Sequence, residues 1–428
     1  MEVAYYSDGP TEAAHVRSAI DASQFGEVQW VGVISLVQDS KKTIHWNVGT
    51  GGSIEATAVA LGDTVYFTSC DHHLYAVGMD GKERWRFGTG DVILSGPLLH
   101  QGVLYFGCYD RRLYAVSLEG KLLWSFRAAD RIAARPAAAG DLVFIGCADG
   151  SLYAITTQGR LRWTFHAKDA IAGEVLVAGD RLVVGSWDRT LYCLDLAGTL
   201  QWSFPTGDIT GYEMGLLGDT LFAGSFDRNV YAISLSDGRL RWKFACGGEV
   251  RSVTAQDGRV YAAVRDNSLY CIGEDGRLRW RFRAGAFFIR PPLVTTGALY
   301  VGCADNRLYC LSPEGGIRWT FEAKGPVSAC PVLADGLILF GSWDCTFYAL
   351  TPGGIPAWRF ATSLATPAPI DTEAMRMDRT IRFTVSHPAP EPARQRYAGE
   401  TLGEGKSTYA FRHAYVKDAT YTRKSRYG

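Results

Sequence analysis

Residues 96–127 read GPLLHQGVLYFGCYDRRLYAVSLEGKLLWSFR, and this stretch holds four short segments separated by turn residues. The segments GPLLH, VLYFGCY, RLYAVSL and KLLWSFR alternate in polarity and are rich in Val, Tyr, Phe and Trp, as β-strands require. Gly102, Asp110 and the pair Glu119-Gly120 lie between them. The stretch therefore predicts four strands that are joined by tight turns and pair as an antiparallel meander.

The same pattern occurs eight times at a constant spacing, which equals the separation of Asp71 from Asp110. The aspartate of the second turn recurs at Asp71, Asp110, Asp149, Asp188, Asp227, Asp266, Asp305 and Asp344. The tryptophan of the fourth segment recurs at Trp85, Trp124, Trp163, Trp202, Trp242, Trp280, Trp319 and Trp358, with one extra residue before Trp242. Because a four-stranded sheet cannot bury both faces alone, ring stacking of the sheets is expected. The sequence predicts an all-β fold, an eight-bladed β-propeller over residues 49–360.

The repeated residues have structural interpretations. Each repeat aspartate is predicted to cap the turn between the second and third strands by accepting backbone N–H bonds. Each tryptophan is predicted to be a large apolar plate that packs between neighbouring sheets. Catalysis by the aspartates is disfavoured because all eight copies carry the same residue.

The turns before the tryptophans resemble a known family. Residues 80–85 (DGKERW), 119–124 (EGKLLW) and 275–280 (DGRLRW) are similar to the tryptophan-docking motif of pyrroloquinoline-quinone (PQQ) repeat proteins. The resemblance covers about three quarters of the chain and implies the propeller fold. Its members include quinoprotein dehydrogenases, a lipoprotein of outer-membrane protein assembly, and sensor-like propellers attached to enzymes.

Two segments lie outside the repeat. Residues 1–48 carry a predicted helix (residues 10–25) and a strand hairpin (residues 31–36 and 43–46) that resembles the last two strands of a repeat. Since Trp358 shows that the last copy has its own fourth strand, the hairpin is surplus and is expected to pack at the seam of the ring. The alternative is a ninth blade that includes tail strands such as residues 380–386.

Residues 361–428 form a C-terminal extension rich in Pro, Arg and Tyr. The run at residues 387–392, HPAPEP, is typical of a stiff linker. Beyond it, Tyr409, Tyr415, Tyr421 and Tyr427 recur at an even spacing among basic side chains. The extension is either a disordered tail or an arm that orders on a partner protein or a second copy of the chain.

Composition narrows the function. The 44 basic and 44 acidic residues balance, which disfavours nucleic acid and anionic membranes as partners. Neither a secretory leader nor an apolar run long enough to cross a membrane is apparent, so a soluble cytoplasmic protein is predicted. Most of the cysteines occupy repeat slots that hold Ser or Ala in other copies, which predicts reduced buried thiols and no metal site.

The family resemblance implies an enzyme hypothesis, a quinoprotein dehydrogenase with PQQ in the central funnel. Such enzymes pair the quinone with calcium and a catalytic aspartate, and alcohol dehydrogenases of this kind add an adjacent Cys-Cys disulfide. This chain has no Cys-Cys dipeptide and no long insertion between copies, so no cofactor and no catalysis are predicted. GxSxG, HExxH and P-loop patterns are also missing from the sequence.

The candidate site comes from residues that break the repeat on one face. At the start of the innermost strand, successive copies carry Arg135, Glu174, Glu213, Arg251 and Arg290, accompanied by Tyr212, Phe287 and Phe288. Just before the repeat aspartate, four copies carry an aromatic residue, namely Tyr109, Trp187, Phe226 and Trp343. The charges either neutralise one another around the channel or, with the aromatics, form a recognition face. The hypothesis is a protein-interaction or ligand-recognition scaffold, with the enzyme as the alternative.

Overall fold

The computed structural model describes residues 52–362 in full, together with the backbone of four short N-terminal strands. These strands are β1 (Val3–Ala4), β2 (His15–Val16), β3 (Ile34–Gln38) and β4 (Ile44–Val48). The chain divides into two compact units, one of Met1–Gly49 with Pro367–Gly428 and one of Thr50–Thr366. The propeller described below belongs to the second unit.

The N-terminal strands pair in two separate antiparallel sheets, β1 with β2 and β3 with β4. The predicted hairpin is thus present. At His15–Val16 the structure has a strand where the sequence predicted a helix, because this segment pairs with Val3–Ala4. The rest of that helix, the seam packing of the hairpin, the ninth-blade alternative and the C-terminal arm lie outside the described residues.

Eight four-stranded blades follow in chain order. Blades 1 to 4 comprise β5 (Val59–Leu61), β6 (Thr64–Thr68), β7 (His73–Gly78) and β8 (Glu83–Gly88); β9 (Leu98–His100), β10 (Val103–Gly107), β11 (Arg112–Ser117) and β12 (Leu122–Arg127); β13 (Ala137–Ala139), β14 (Leu142–Gly146), β15 (Ser151–Thr156) and β16 (Leu161–His166); and β17 (Leu176–Ala178), β18 (Arg181–Gly185), β19 (Thr190–Asp195) and β20 (Leu200–Pro205).

Blades 5 to 8 comprise β21 (Thr210–Leu217), β22 (Thr220–Ser225), β23 (Asn229–Ser234) and β24 (Leu240–Ala245); β25 (Val250–Gln256), β26 (Arg259–Val264), β27 (Ser268–Gly273) and β28 (Leu278–Arg283); β29 (Leu293–Thr295), β30 (Ala298–Gly302), β31 (Arg307–Leu311) and β32 (Ile317–Glu322); and β33 (Val332–Ala334), β34 (Leu337–Gly341), β35 (Thr346–Leu350) and β36 (Pro356–Ala361). No helix long and apolar enough to span a membrane occurs in the described part of the chain.

Each blade is an antiparallel meander in which consecutive strands pair, as predicted. Blades 5 and 6 differ from the others because their first strands are longer and are joined by a parallel pairing of Glu213 with Ser252. Glycine permits this close approach, since a β-carbon at Gly215 would lie 2.7 Å from the backbone N of Ala255. The innermost strands of these two blades are therefore drawn together.

The hydrophobic core lies between adjacent blades. One cluster, for example, joins Phe144 and Leu152 of blade 3 to Leu182 and Leu194 of blade 4, and all four side chains are fully buried. The strands of each sheet place alternate side chains on opposite faces, so every blade contributes to two such clusters. No blade has a core of its own, and the ring must therefore form as a unit.

The ring closes between the first and last blades. Ile54, Phe67 and Tyr75 of blade 1 share a cluster with Leu339 and Phe347 of blade 8. The rings of Phe67 and Phe347 stack with centroids 4.2 Å apart, and the Ile54 N–H donates to the Ser342 carbonyl at 3.1 Å. The last blade has all four strands from its own repeat, as Trp358 predicted.

Each repeat tryptophan packs against the turn glycine of the next blade. In seven blades the indole Nε1–H also donates to a carbonyl oxygen two residues before that glycine or, for Trp202, three residues before it, at 2.8–3.0 Å. At the seam, Trp358 packs on Gly81, but its Nε1 has no hydrogen-bond partner among the described residues. The tryptophans thus connect neighbouring blades. The contact between blades 8 and 1 lacks the hydrogen bond that the other seven contacts have.

The repeat aspartates cap turns, as predicted. In seven copies Oδ1 accepts the backbone N–H of the residue two positions later. Oδ2 accepts the hydroxyl of the repeat tyrosine, as in the 2.7 Å bond from Tyr192 to Asp188. Asp188 Oδ2 also accepts the Lys168 N–H, which lies in the loop arriving from the preceding blade. One carboxylate therefore ties together the two kinds of loop on this face of the ring.

The ten cysteines are all free thiols, and eight of them are buried. Cys108, Cys147 and Cys303 occupy a position that holds serine in other blades. Whether the residue is cysteine or serine, its side chain donates to a backbone carbonyl of the loop from the preceding blade. Cys108 Sγ, for example, lies 3.2 Å from the Asp91 carbonyl oxygen, where Ser186 Oγ lies 2.8 Å from that of Asp169. An exchange of cysteine for serine at this position therefore preserves both the hydrogen-bond donor and a side chain of similar size.

Substitution of a turn glycine should test the contact between tryptophan and glycine. Gly159 has a φ of +83° and a β-carbon there would lie 2.8 Å from the Trp124 ring, whereas Gly140 has a φ of +60° and nothing within 4 Å. We expect Gly140→Ala to lower the free energy of unfolding by about 1–2 kcal/mol through backbone strain alone. Gly159→Ala should cost about 2–4 kcal/mol because overpacking is added. Urea unfolding measures both, and equal losses would contradict the role of the tryptophan contact.

Candidate functional site at the propeller axis

The loops that join consecutive blades and the turns that carry the repeat aspartates lie on one face, which we call the loop face. The predicted charged residues occur where the chain enters the innermost strand on this face. Arg135 and Glu174 precede β13 and β17, Glu213 and Arg251 lie within β21 and β25, and Arg290 precedes β29. Inner-strand entry points of successive blades surround the axis of a propeller, so these residues are brought close together.

A small pocket lies at the axis on the loop face, with a cavity volume of about 30 Å³. This volume holds one or two water molecules. Four of the five predicted charged residues line the pocket, and Tyr212 lies beside them. The full lining is Ala56, Thr57, Leu94, Gly96, Ala133, Arg135, Ala172, Glu174, Tyr212, Glu213 and Arg290.

The four charges form two ion pairs across blade boundaries. Arg290 Nη1 donates to Glu213 Oε1 at 2.8 Å, and Arg135 Nη1 donates to Glu174 Oε1 at 3.2 Å. The pair of Arg290 and Glu213 is the more buried, with 26% and 11% of the side chains exposed, against 28% and 31% for the other pair. Mutual neutralisation, the first of the two interpretations above, is thus part of the arrangement.

The pairing leaves one buried acceptor unused. Glu213 is 9% exposed, and its Oε2 atom has no hydrogen-bond partner among the described residues. A buried carboxylate oxygen without a donor costs free energy, because the lost hydration is not replaced. One of the residues that line the pocket therefore carries a buried acceptor that no described residue satisfies.

Burial and neighbouring charges shift the ionisation of the cluster. Burial raises the pKa of Glu174, while Arg135 opposes the rise and the nearby Glu213 adds to it. Burial works against the charge of Arg290, but Glu213 and Glu174 outweigh it and raise the pKa of the guanidinium. Arg290 therefore stays charged, and Glu174 is a group whose charge is costly in this site.

Arg251 lies apart from the other four charges. Its side chain does not line the pocket, and its guanidinium lies over the rings of Tyr212 and Phe226, at 5.8 Å and 5.5 Å. The reason is a β-bulge: the register of β25 against β26 shifts between Val250 and Ser252, so Arg251 is the inserted residue. Burial lowers its pKa, and its Nε has no partner among the described residues.

The predicted aromatic residues are half-buried on the loop face, outside the axial pocket. Tyr109 carries the Arg131 guanidinium 5.6 Å above its ring, and Phe226 packs edge-on against Tyr212 at 6.3 Å. Trp343 Nε1 donates to Ser328 Oγ at 2.7 Å. Trp187 holds the equivalent place in blade 4, and we call the four aromatic side chains the rim. Phe288, in contrast, is fully buried in the core, while Phe287 lies beneath the Arg265 guanidinium.

Sequence reasoning missed two residues of the axial cluster. Glu55 accepts a hydrogen bond from Ser53 Oγ at 3.0 Å, and burial raises its pKa while Arg290 opposes the rise. Cys330 lies within the field of Glu213 and Arg290, and burial raises its pKa to about 12. Cys330 follows Arg135 by five whole periods of the repeat, so the register was a signal for it. A thiol with this pKa is protonated at neutral pH and is a poor nucleophile.

Within residues 52–362 no group of three His, Cys, Asp or Glu side chains is arranged to hold a metal ion. The fold and the site together define the class of this protein: an eight-bladed β-propeller with a charged axial pocket. The family model described as outer membrane protein assembly factor BamB, a model of PQQ-type repeats, matches residues 14–163, 110–243, 209–286, 245–314 and 289–381. The chain belongs to this family.

Solved structures support the fold. A computationally designed protein, Ika8, is 15% identical with a TM-score of 0.64, and the match covers 76% of this chain and 99% of that one. BamB from Moraxella catarrhalis is 18% identical with a TM-score of 0.58, and the match covers 75% of this chain and 95% of that one. A comparison with curated protein sequences finds no match. At these identities the likeness concerns the fold alone.

Removal of Arg290 should show how the axial charges affect stability. Arg290→Met leaves the buried Glu213 without its cation, and we expect the free energy of unfolding to fall by about 1–3 kcal/mol. The matched control is Arg265→Met, which breaks a more exposed pair with Glu249 (36% and 21% exposed) and should cost less than about 1 kcal/mol. Denaturant unfolding at neutral pH compares the two. A loss no greater than that of the control would contradict the burial of the Arg290–Glu213 pair.

Proposed function

We propose that this protein is a non-catalytic scaffold that binds another protein through the loop face of its propeller. The observation that carries the proposal is the convergence, on one face, of a charged axial pocket and a rim of aromatic side chains. Aromatic residues and arginine are the residue types that dominate binding energy in protein interfaces. The name of the family describes an assembly factor, and a scaffold role here agrees with that description.

The rigidity of the loop face favours binding. Seven of the eight repeat aspartates cap the turn of their own blade. In five blades the aspartate accepts a backbone N–H of the loop from the preceding blade. Side chains on such loops lose little conformational entropy when a partner binds, because most of the ordering is already complete. The interaction therefore needs no rearrangement of the ring.

The alternative, a quinone enzyme, fits the residues poorly. A cavity for a small-molecule cofactor has about 300–1,000 Å³, whereas the axial pocket has about 30 Å³. The described residues offer no ligand cluster for calcium, and the axial thiol of Cys330, with a pKa of about 12, is not activated. We therefore propose a function without PQQ. We also propose that the contacts between tryptophan and glycine are the docking motif of PQQ-type repeats.

The remaining proposals concern environment and assembly. The ten free thiols support a reducing compartment, and we propose the cytoplasm. The balanced charge of 44 basic and 44 acidic residues supports partners other than nucleic acid or membrane. We further propose that the Tyr-, Lys- and Arg-containing segment after the propeller is an arm that joins the partner or a second copy of the chain.

Truncation of a rim residue should test the binding face. Trp187→Ala removes a half-buried rim side chain, and we expect retention of the partner to fall about 30-fold, the effect of losing an interface hot spot of about 2 kcal/mol. The matched control is Leu161→Ala, which removes an apolar side chain that is 50% exposed on the outer strand. Affinity purification of tagged chains from the native host, with quantitative mass spectrometry and thermal melting, measures both. Equal retention by the two variants would refute the proposed face.

Two truncations should separate the arm from the ring. Ala361 pairs with Thr346, and Thr362 Oγ1 donates to the Gly52 carbonyl at 2.9 Å, so the propeller extends beyond the predicted boundary at residue 360. Deletion of residues 367–428 should leave cooperative thermal unfolding intact and weaken partner retention. Deletion of residues 361–428 should also lower the melting temperature, because blade 8 loses the pairing of Ala361 and the seam loses the bond from Thr362. Loss of cooperative unfolding in the shorter deletion would show that the arm belongs to the ring.

A further inference from the structure

We propose that Arg251 binds the carboxylate of an aspartate or glutamate side chain that the partner protein presents to the loop face. This inference rests on the proposed function and names the chemistry of one of its contacts. The site consists of the Arg251 guanidinium and the two aromatic rings over which it lies, those of Tyr212 and Phe226. All three residues are half-buried.

The guanidinium of Arg251 has no acidic partner. No hydrogen bond or ion pair joins it to another group in the described part of the chain, and its contacts are with the rings of Tyr212, 5.8 Å away, and Phe226, 5.5 Å away. Aromatic faces attract a cation, but they supply no acceptor to its N–H groups. Arg251 therefore offers its hydrogen-bond donors to an acceptor from outside the chain.

The two terminal nitrogens of Arg251 are the atoms that a ligand reaches. Nε is fully buried, whereas Nη1 and Nη2, which also make no hydrogen bond to the described residues, are not. The N–H groups of these two nitrogens form a planar fork that matches the two oxygens of a carboxylate. A carboxylate can therefore accept from both terminal nitrogens without touching Nε.

The fork is oriented before any partner arrives. Arg251 is the inserted residue of the bulge in blade 6, and the two rings belong to blade 5. The parallel pairing of Glu213 with Ser252 holds the two blades together at this level. Since the side chain already lies over both rings, little rotamer freedom is lost when a carboxylate binds.

The charges around Arg251 favour an anion. The charged residues with the strongest influence on its guanidinium are Arg265, Glu249 and Arg290. Arg265 donates to Glu249 at 3.1 Å, and Arg290 donates to Glu213 at 2.8 Å, so both of these arginines are already paired. Three bases and two acids leave one positive charge, which belongs to Arg251.

One uncompensated charge matches a carboxylate better than a phosphate. A carboxylate carries a single negative charge, whereas a phosphate group carries about 1.5 to 2 at neutral pH. The additional charge of a phosphate would be repelled by Glu249, and Arg265 and Arg290 are not available to neutralise it because each holds an acid. Aspartate and glutamate are the side chains that present a carboxylate on a protein surface.

The first test uses propionate, which reproduces the end of a glutamate side chain. NMR titration of the full chain at low ionic strength should show a saturable shift of the backbone amides of residues 250–252. Propionamide has the same shape without the charge and should bind about tenfold more weakly or less. Added salt should weaken the binding of propionate, because it screens the attraction.

A matched pair of substitutions assigns the binding to the arginine fork. Arg251→Lys keeps the charge but lacks the planar fork, and we expect the affinity for propionate to fall about fivefold or more. The control is Arg281→Lys, because Arg281 also lies over an aromatic ring, 5.1 Å from that of Tyr270, but is paired with Asp266 at 2.9 Å. The control should leave the affinity unchanged.

Four results would overturn the carboxylate site. They are the absence of a saturable shift with propionate, equal binding of propionamide, full affinity in Arg251→Lys, and a loss in Arg281→Lys as large as that in Arg251→Lys. Inorganic phosphate, titrated in the same way, should bind no more tightly than propionate. Tighter binding of phosphate would replace the carboxylate with a phosphate as the ligand.

Partner retention separates this inference from the function on which it rests. Arg251→Glu reverses the charge and should lower retention of the partner about tenfold or more. Loss of the partner from Trp187→Ala with full retention by Arg251→Glu, whose folding is checked by thermal melting, would overturn the carboxylate proposal and leave the scaffold function standing. Loss from Arg251→Glu alone would support the carboxylate contact and overturn the contribution of the rim. Loss from both variants supports both.

Discussion

The contact between each repeat tryptophan and the next blade is the interaction on which this structure depends. The indole lies against a glycine whose positive φ and missing side chain make room for it, and in seven blades the indole N–H bonds a carbonyl of the same turn. No blade can bury both faces alone, so these contacts and the core between blades form together. The seam between blades 8 and 1 uses the same contact without the hydrogen bond, and the stacked rings of Phe67 and Phe347 reinforce it.

A second constraint acts on the loop face. The repeat aspartates hold the turns and the connecting loops in one arrangement, so the side chains at the remaining positions vary without disturbing the ring. The variable positions are the start of each inner strand and the residue before each aspartate. Charged residues at the first set meet at the axis, and aromatic residues at the second set surround them. The axial pocket thus depends on the regularity of the repeat, because the same backbone arrangement brings different residues from six blades together.

Much of the fold follows from the sequence because the period is visible without the structure. The evenly spaced aspartates and tryptophans predicted the number of blades, the strands of each blade and the role of each repeated residue. Four of the five predicted charges line the pocket: Arg135, Glu174 and Glu213, which are in register with one another, and Arg290, which lies one residue before the equivalent position of its blade. The same register contained Cys330, which sequence reasoning passed over because cysteine was treated only as a packing residue.

What the sequence by itself determined is therefore everything that depends on the repeat: the propeller, the capped turns, the free thiols and the face on which unlike residues gather. The tertiary structure decided what depends on departures from it. Whether Arg251 faces the axis or the rim is set by a bulge of one residue, which reverses the direction of a side chain. Likewise, the pairing of Arg290 with Glu213 and the unused oxygen of that carboxylate arise from distances between side chains of separate blades. A period specifies which residues meet, but only the packed ring specifies which atoms bond.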